Sequence, residues 1–165
     1  MEQSLPYIEA LNKRTGLDIR LSSSGAARLD LEGRGILLQW LESLHQFTLY
    51  AEIGPMYGWR DGEVAKQLLA ANFLFMQTQG GALSYDPFAN MVGLNYAVPV
   101  YGLSPEEFVE RVDAVVTLAE QWRERLRRMA AEQEHTAVQY AGDDEPETHE
   151  HMSESVAAMQ NMMKV

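Results

Sequence analysis

The chain has no cysteine among its 165 residues and only four histidines. Without thiols it can form no disulfide, no thiol nucleophile and no cysteine-ligated zinc or iron–sulfur centre. It has no apolar run near the ~20 residues that a membrane span needs. Its first residues, MEQSLPYIEA, carry neither the basic region nor the apolar core of a secretory signal. Bases are scarce: 13 Lys and Arg against 24 Asp and Glu give a net charge of −11. Residues 132–165 hold eight of those acids and a single base, Lys164. Such a balance repels phosphate backbones and anionic lipid, so neither nucleic acid nor membrane is expected as a partner. The expectation is a soluble, cytoplasmic protein.

Chemistry-bearing clusters are equally few. His45 lies in a connection between two strands and reads as an ordinary surface residue. The His149-Glu150-His151 triplet sits in the acidic tail, where nothing holds metal ligands in a preformed geometry. Asp30 and Glu32 share a strand face and read as a solvated face. Gly33-Arg34-Gly35 lacks the rest of a dinucleotide fingerprint, and there is no phosphate-loop lysine pattern. No catalytic residue, metal or cofactor is therefore assigned, and the chain is not expected to be an enzyme.

What the chain does have is apolar material, 46% of its residues, laid out with clear periods. Ser4 to Thr15 reads as a short amphipathic helix with Leu5, Ile8 and Leu11 on one face, Pro6 in the first turn and Gly16 as a left-handed stop. The period then changes to two. Leu17, Ile19 and Leu21 alternate with Asp18 and Arg20. Strands follow over Ala27–Leu31, Ile36–Leu41 and Gln46–Ile53 as an antiparallel meander. Asp61 is placed to cap a second helix running to about Thr78 and apolar over much of its circumference. Two more strands, Ala82–Tyr85 and Met91–Val100, flank the turn Asp86-Pro87-Phe88-Ala89-Asn90. Ser104-Pro105-Glu106-Glu107 is a complete capping box, opening a helix with Phe108, Val112, Val115, Ala119, Trp122, Leu126 and Met129 on one stripe. Past about Glu132 the pattern fails, and a polar, acidic tail with Met159, Met162 and Met163 near its end reads as disordered.

The run LLAANFLFMQTQGGALSYDPFANMVGLNYAVPVYGLSPEEFVERVDAVVTLAEQW, Leu68 to Trp122, resembles the type III secretion chaperones of the Tir-chaperone (CesT-like) family, class I. The shared features are a helix ending in a Leu-Leu-x-x-Asn-like stretch, a Gly-Gly stop, a short strand, an Asp-Pro turn, a longer strand and a capped last helix. With a weaker match over residues 4–53, the resemblance covers about 1–131; the tail has no counterpart. It implies an α+β fold, a twisted antiparallel β-sheet flanked by helices in the order α-β-β-β-α-β-β-α, assembled as a homodimer without catalytic activity. Residues 1–131 would form the chaperone-like domain and 132–165 the tail. The function implied is to hold the N-proximal segment of a secreted effector and keep it secretion-competent in the bacterial cytoplasm. The partners implied are that effector, a second copy of the chain and, as a further candidate, the ATPase of the secretion apparatus. A regulatory, anti-activator type of binding module on the same fold is the alternative.

Two surfaces are expected. The second helix carries more apolar side chains than one small sheet can cover, which assigns Leu68, Leu69, Phe73 and Met76 to the dimer interface. The effector surface is assigned to Leu11, Leu17, Ile19, Leu21, Leu38 and Trp40, where the first helix and the segment after it lie near a sheet edge open to strand addition.

Overall fold

The computed structural model describes residues 2–31, 34–56 and 62–142, with side chains described throughout except at 31, 34 and 133–142. Met1–Ala131 forms one compact unit and Glu132–Val165 a second. In the first unit a 3-10 turn, Glu2–Ser4, leads into α1, Leu5–Thr15. Ser4 is itself helical in φ and ψ and makes no side-chain cap bond. At the other end Gly16 takes φ 72° and its N–H closes on Asn12 O, the left-handed stop read from the sequence.

Five antiparallel strands follow: β1 (Ala26–Leu31), β2 (Arg34–Leu41), β3 (Gln46–Pro55), β4 (Ala82–Asp86) and β5 (Met91–Pro99). Their spatial order is β1-β2-β3-β5-β4, which leaves β1 and β4 at the edges. α2, Glu63–Ala71, interrupts the strand series, and α3 begins at Pro105. Element order and sheet type are those the sequence led us to expect.

The alternation read from the sequence places one sheet face inside. Leu29, Ile36, Leu38, Phe47, Leu49, Ala51, Val92 and Leu94 are fully buried. Against them lies the α3 stripe, all seven of whose residues, Phe108 to Met129, are buried. α3 is held at its start by the capping box: Ser104 N–H donates to Glu107 Oε2 at 2.8 Å and Glu107 N–H to Ser104 Oγ at 3.2 Å. Further along, Arg123 donates to Glu52 O at 2.8 Å, tying the helix to β3. Tyr7, Trp40, Phe47 and Phe108 join α1, β2, β3 and α3, with neighbouring ring centroids 4.7 to 6.2 Å apart. On the outer sheet face Gly93 is required by a close approach: a Cβ there would stand 2.1 Å from Cε2 of Tyr50.

Residues 17–21, where the period of two begins, form no strand, because no described strand pairs with them. Two expectations need correction. α2 stops at Ala71 rather than near Thr78, for a reason given below; Asp61, its expected cap, lies outside the described residues. α3 runs on to Gly142, past Glu132. Residues 132–141 contain neither proline nor glycine and include Glu, Gln and Ala, so nothing local stops the helix before Gly142. The rest of the expected tail, with His149-Glu150-His151 and the three methionines, lies outside the described residues.

Candidate functional site

The end of α2 is built around Asn72. Its side-chain carbonyl accepts from Leu83 N–H at 2.8 Å and its amide donates to Leu83 O at 3.0 Å, so one side chain pairs with edge strand β4 as a neighbouring strand would. The helix ends there and a 3-10 turn, Phe73–Phe75, follows. Leu74 and Phe75 take φ of 53° and 55°, a left-handed conformation that costs a non-glycine residue roughly 1–2 kcal/mol. The turn is pinned from its far side as well. Buried Thr78 donates to Gly81 O at 2.6 Å, Tyr96 Oη donates to Gln79 O at 2.7 Å, and Arg125 of α3 donates to Gln77 Oε1. The result is a fixed knob on which Leu69, Phe73, Leu74, Phe75 and Met76 stand 53–77% exposed.

Of the residues assigned to the dimer interface, Leu69, Phe73 and Met76 therefore lie on this surface. Leu68 does not: with Val64 and Ala71 it forms the buried face of α2. Leu74 and Phe75 belong to the patch, and periodicity missed them because it assumed a continuing helix. Asn72 within an otherwise apolar helical run was the available signal, since Asn competes for backbone partners and favours helix ends.

The second surface lies at the β1 side. Asn12 of α1 accepts from Ile19 N–H at 2.8 Å and donates to Ile19 O at 3.1 Å. At the other end of the segment Gln39 donates to Ser24 O at 2.7 Å and Trp40 N–H to Gly25 O at 2.8 Å. Gly25 has φ 81°, and a Cβ on it would stand 2.9 Å from Trp40 O. Residues 17–25 thus form a strap from α1 to β2. Of the six residues assigned to effector binding, Leu11, Ile19, Leu38 and Trp40 are buried core and cannot contact a partner in this conformation. Leu17 is exposed and Leu21 half-buried. The outer edge of β1 meets no other strand among the described residues. Asn12 and Gln39, which hold the strap, carried no sequence signal that set them apart.

On the sheet, Tyr50 has its pKa raised, first by burial and then by Glu52 and Asp86. Glu107 is lowered by the backbone and hydroxyl of Ser104. Among the described residues no group of three or more His, Asp or Glu could hold a metal ion, and no helix is long and apolar enough to cross a membrane.

The chain belongs to the Tir chaperone protein (CesT) family, whose profile matches residues 7–123. Its fold is similar to the HopA1–SchA chaperone–effector complex (TM-score 0.62, 13% identity, 74% of this chain and 94% of that one). It is similar also to the ExsC–ExsE complex (0.65, 21% identity, 73% and 90%). A third likeness is to the heterodimeric ExoU–SpcU complex of the Pseudomonas aeruginosa type III secretion system (0.53, 24%, 72% and 93%). No curated protein matches the chain.

Proposed function

We propose that the protein is a dedicated chaperone that binds the N-proximal segment of a type III secreted effector and keeps it secretion-competent, acting as a homodimer and by binding rather than catalysis. The observation that carries this is the family match over residues 7–123, nearly the whole compact unit. The surfaces suit it. The knob of Leu69, Phe73, Leu74, Phe75 and Met76 is apolar, rigidly held and self-complementary in chemistry, as a twofold contact requires. The open edge of β1 offers main-chain hydrogen bonds to an extended segment of any sequence. The bacterial cytoplasm is the compartment in which such a partner is met before export.

The test is affinity purification of the tagged full chain from its native host under secretion-inducing conditions, followed by reconstitution with the recovered protein's first hundred or so residues. A secreted protein that binds through this N-proximal part, and whose export falls when the chain is deleted, supports the reading. Recovery of a transcriptional regulator alone, with export intact, would favour the anti-activator alternative.

A further inference from the structure

Between Lys66 and Glu106 the only charged residue is Asp86, in a chain of which 22% is charged. That span holds the knob, β4, the turn after it and β5. Exposed apolar groups in it are strung along β4. The knob stands at the start of the strand, joined to it through Gly80 and Gly81 and tied to Leu83 by Asn72. Two residues past Leu83, Tyr85 shares the inner sheet face and is 46% exposed. Beyond the far end of the strand Phe88 is 100% exposed. Phe88 does not sit on a loose loop. Asp86 Oδ1 accepts from the N–H of Phe88 at 2.9 Å and of Ala89 at 3.3 Å, and Tyr85 Oη donates to Asn90 Oδ1 at 3.1 Å. Asn90 is fixed to the end of β3: its carbonyl accepts from Met56 N–H at 3.1 Å and its amide donates to Met56 O at 3.3 Å. The one charge in the span thus holds the turn that presents the ring.

At ~200 Å² for an aromatic side chain and ~100 Å² for a leucine or methionine, the knob alone exposes roughly 500 Å², and the knob with Tyr85 and Phe88 roughly 750 Å². A stable interface covers ~800 Å² on each partner and is depleted of charge at its centre. The whole strip meets both conditions; the knob alone falls short of the first. We infer that the strip from the knob to Phe88 is the homodimer interface, and that Phe88 of each copy packs on the knob of the other. In a twofold contact residue i meets j and j meets i. An axis near Tyr85 and perpendicular to β4 carries each end of the strip onto the opposite end in the second copy. The protruding ring then meets the apolar knob twice, and Tyr85 meets its own counterpart. The inference rests on the homodimer reading above and adds the contact that orients the two copies.

The chain has no cysteine of its own, so single introduced cysteines report contacts without background. Met76→Cys and Phe88→Cys are made separately in the full chain, mixed in equal amounts, allowed to exchange and treated with a short bismaleimide. The mixture should give at least fivefold more crosslinked dimer than either variant alone, with the link between positions 76 and 88 by mass spectrometry. Phe88→Ala should raise the dimer dissociation constant at least tenfold in sedimentation, with circular dichroism unchanged because the side chain touches no core. Combined with Met76→Ala, it should weaken the dimer by less than the product of the two single effects, since both remove one contact. Tyr101→Ala removes an aromatic exposed to a similar degree but off the strip, and should leave the dimer as it is. A dimer as tight in Phe88→Ala as in wild type overturns the inference and leaves the homodimer. So does equal weakening by Tyr101→Ala, or crosslinking confined to Met76→Cys alone, as a knob-on-knob contact would give. A wild type that sediments as a monomer at micromolar concentration refutes the homodimer reading and this contact with it.

Discussion

Phe73→Ala separates assembly from folding. Phe73 is 72% exposed in the single chain. A phenylalanine presents ~200 Å², so about 140 Å² is free to be covered by a partner. At ~25 cal/mol/Å² that corresponds to ~3.5 kcal/mol per copy if coverage is complete. A twofold contact contains the residue twice, giving a ceiling of ~7 kcal/mol; with half the area covered the loss is ~3.5 kcal/mol, which weakens the dimer by a few hundredfold. The monomer fold should be indifferent, because the side chain leaves no cavity behind. Sedimentation over a wide concentration range would show wild type dimeric at micromolar concentration and Phe73→Ala monomeric, with matching far-UV circular dichroism. Leu68→Ala is the control: buried on the opposite side of α2, it should cost about 2–5 kcal/mol of fold stability. A wild type that sediments as a monomer at micromolar concentration, or a Phe73→Ala protein as dimeric as wild type, would refute the reasoning.

Leu38→Asp and Ile19→Asp place a charge in a dry core and should unfold the chain, read as loss of the cooperative thermal transition. Gly93→Ala should destabilise by ~1–3 kcal/mol in urea, because Tyr50 must leave its place; in a Tyr50→Ala background the same change should be neutral or mildly stabilising, as alanine usually is in place of a strand glycine. Ser104→Ala should cost about 1 kcal/mol by removing the α3 cap. Glu107, whose folded pKa is lowered, stabilises the protein above its unfolded pKa and loses that contribution as pH falls through the folded value; acid titration of Glu107→Gln should therefore be flatter than wild type below about pH 4.5. Deleting residues 136–165 should leave the thermal midpoint nearly unchanged, since this acidic stretch has no apolar periodicity with which to recover its ordering entropy.

The fold was legible wherever a local period coincided with burial. The α3 stripe is the clearest case: spacings of three and four selected seven residues, and all seven are buried. Its capping box forms both expected bonds. The strands announced themselves by alternation, and their edges by turn residues. The site was legible only in part. Leu69, Phe73 and Met76 stand on the surface where excess apolar character placed them, whereas Leu11, Ile19, Leu38 and Trp40 lie inside, because alternation shows that a residue faces a core and does not show what covers that core.

By itself, then, the sequence determined the order of elements, the sheet's inner face and the register of the last helix, since each follows from local backbone geometry and the cost of exposing apolar side chains. Tertiary structure alone decided where α2 ends and whether residues 17–21 pair as a strand. Asn72 meets Leu83 and Asn12 meets Ile19 only after the chain has folded back on itself. Those few non-local hydrogen bonds outweigh local propensity: one turns four successive apolar residues outward, and the other draws a strand-like segment across the core.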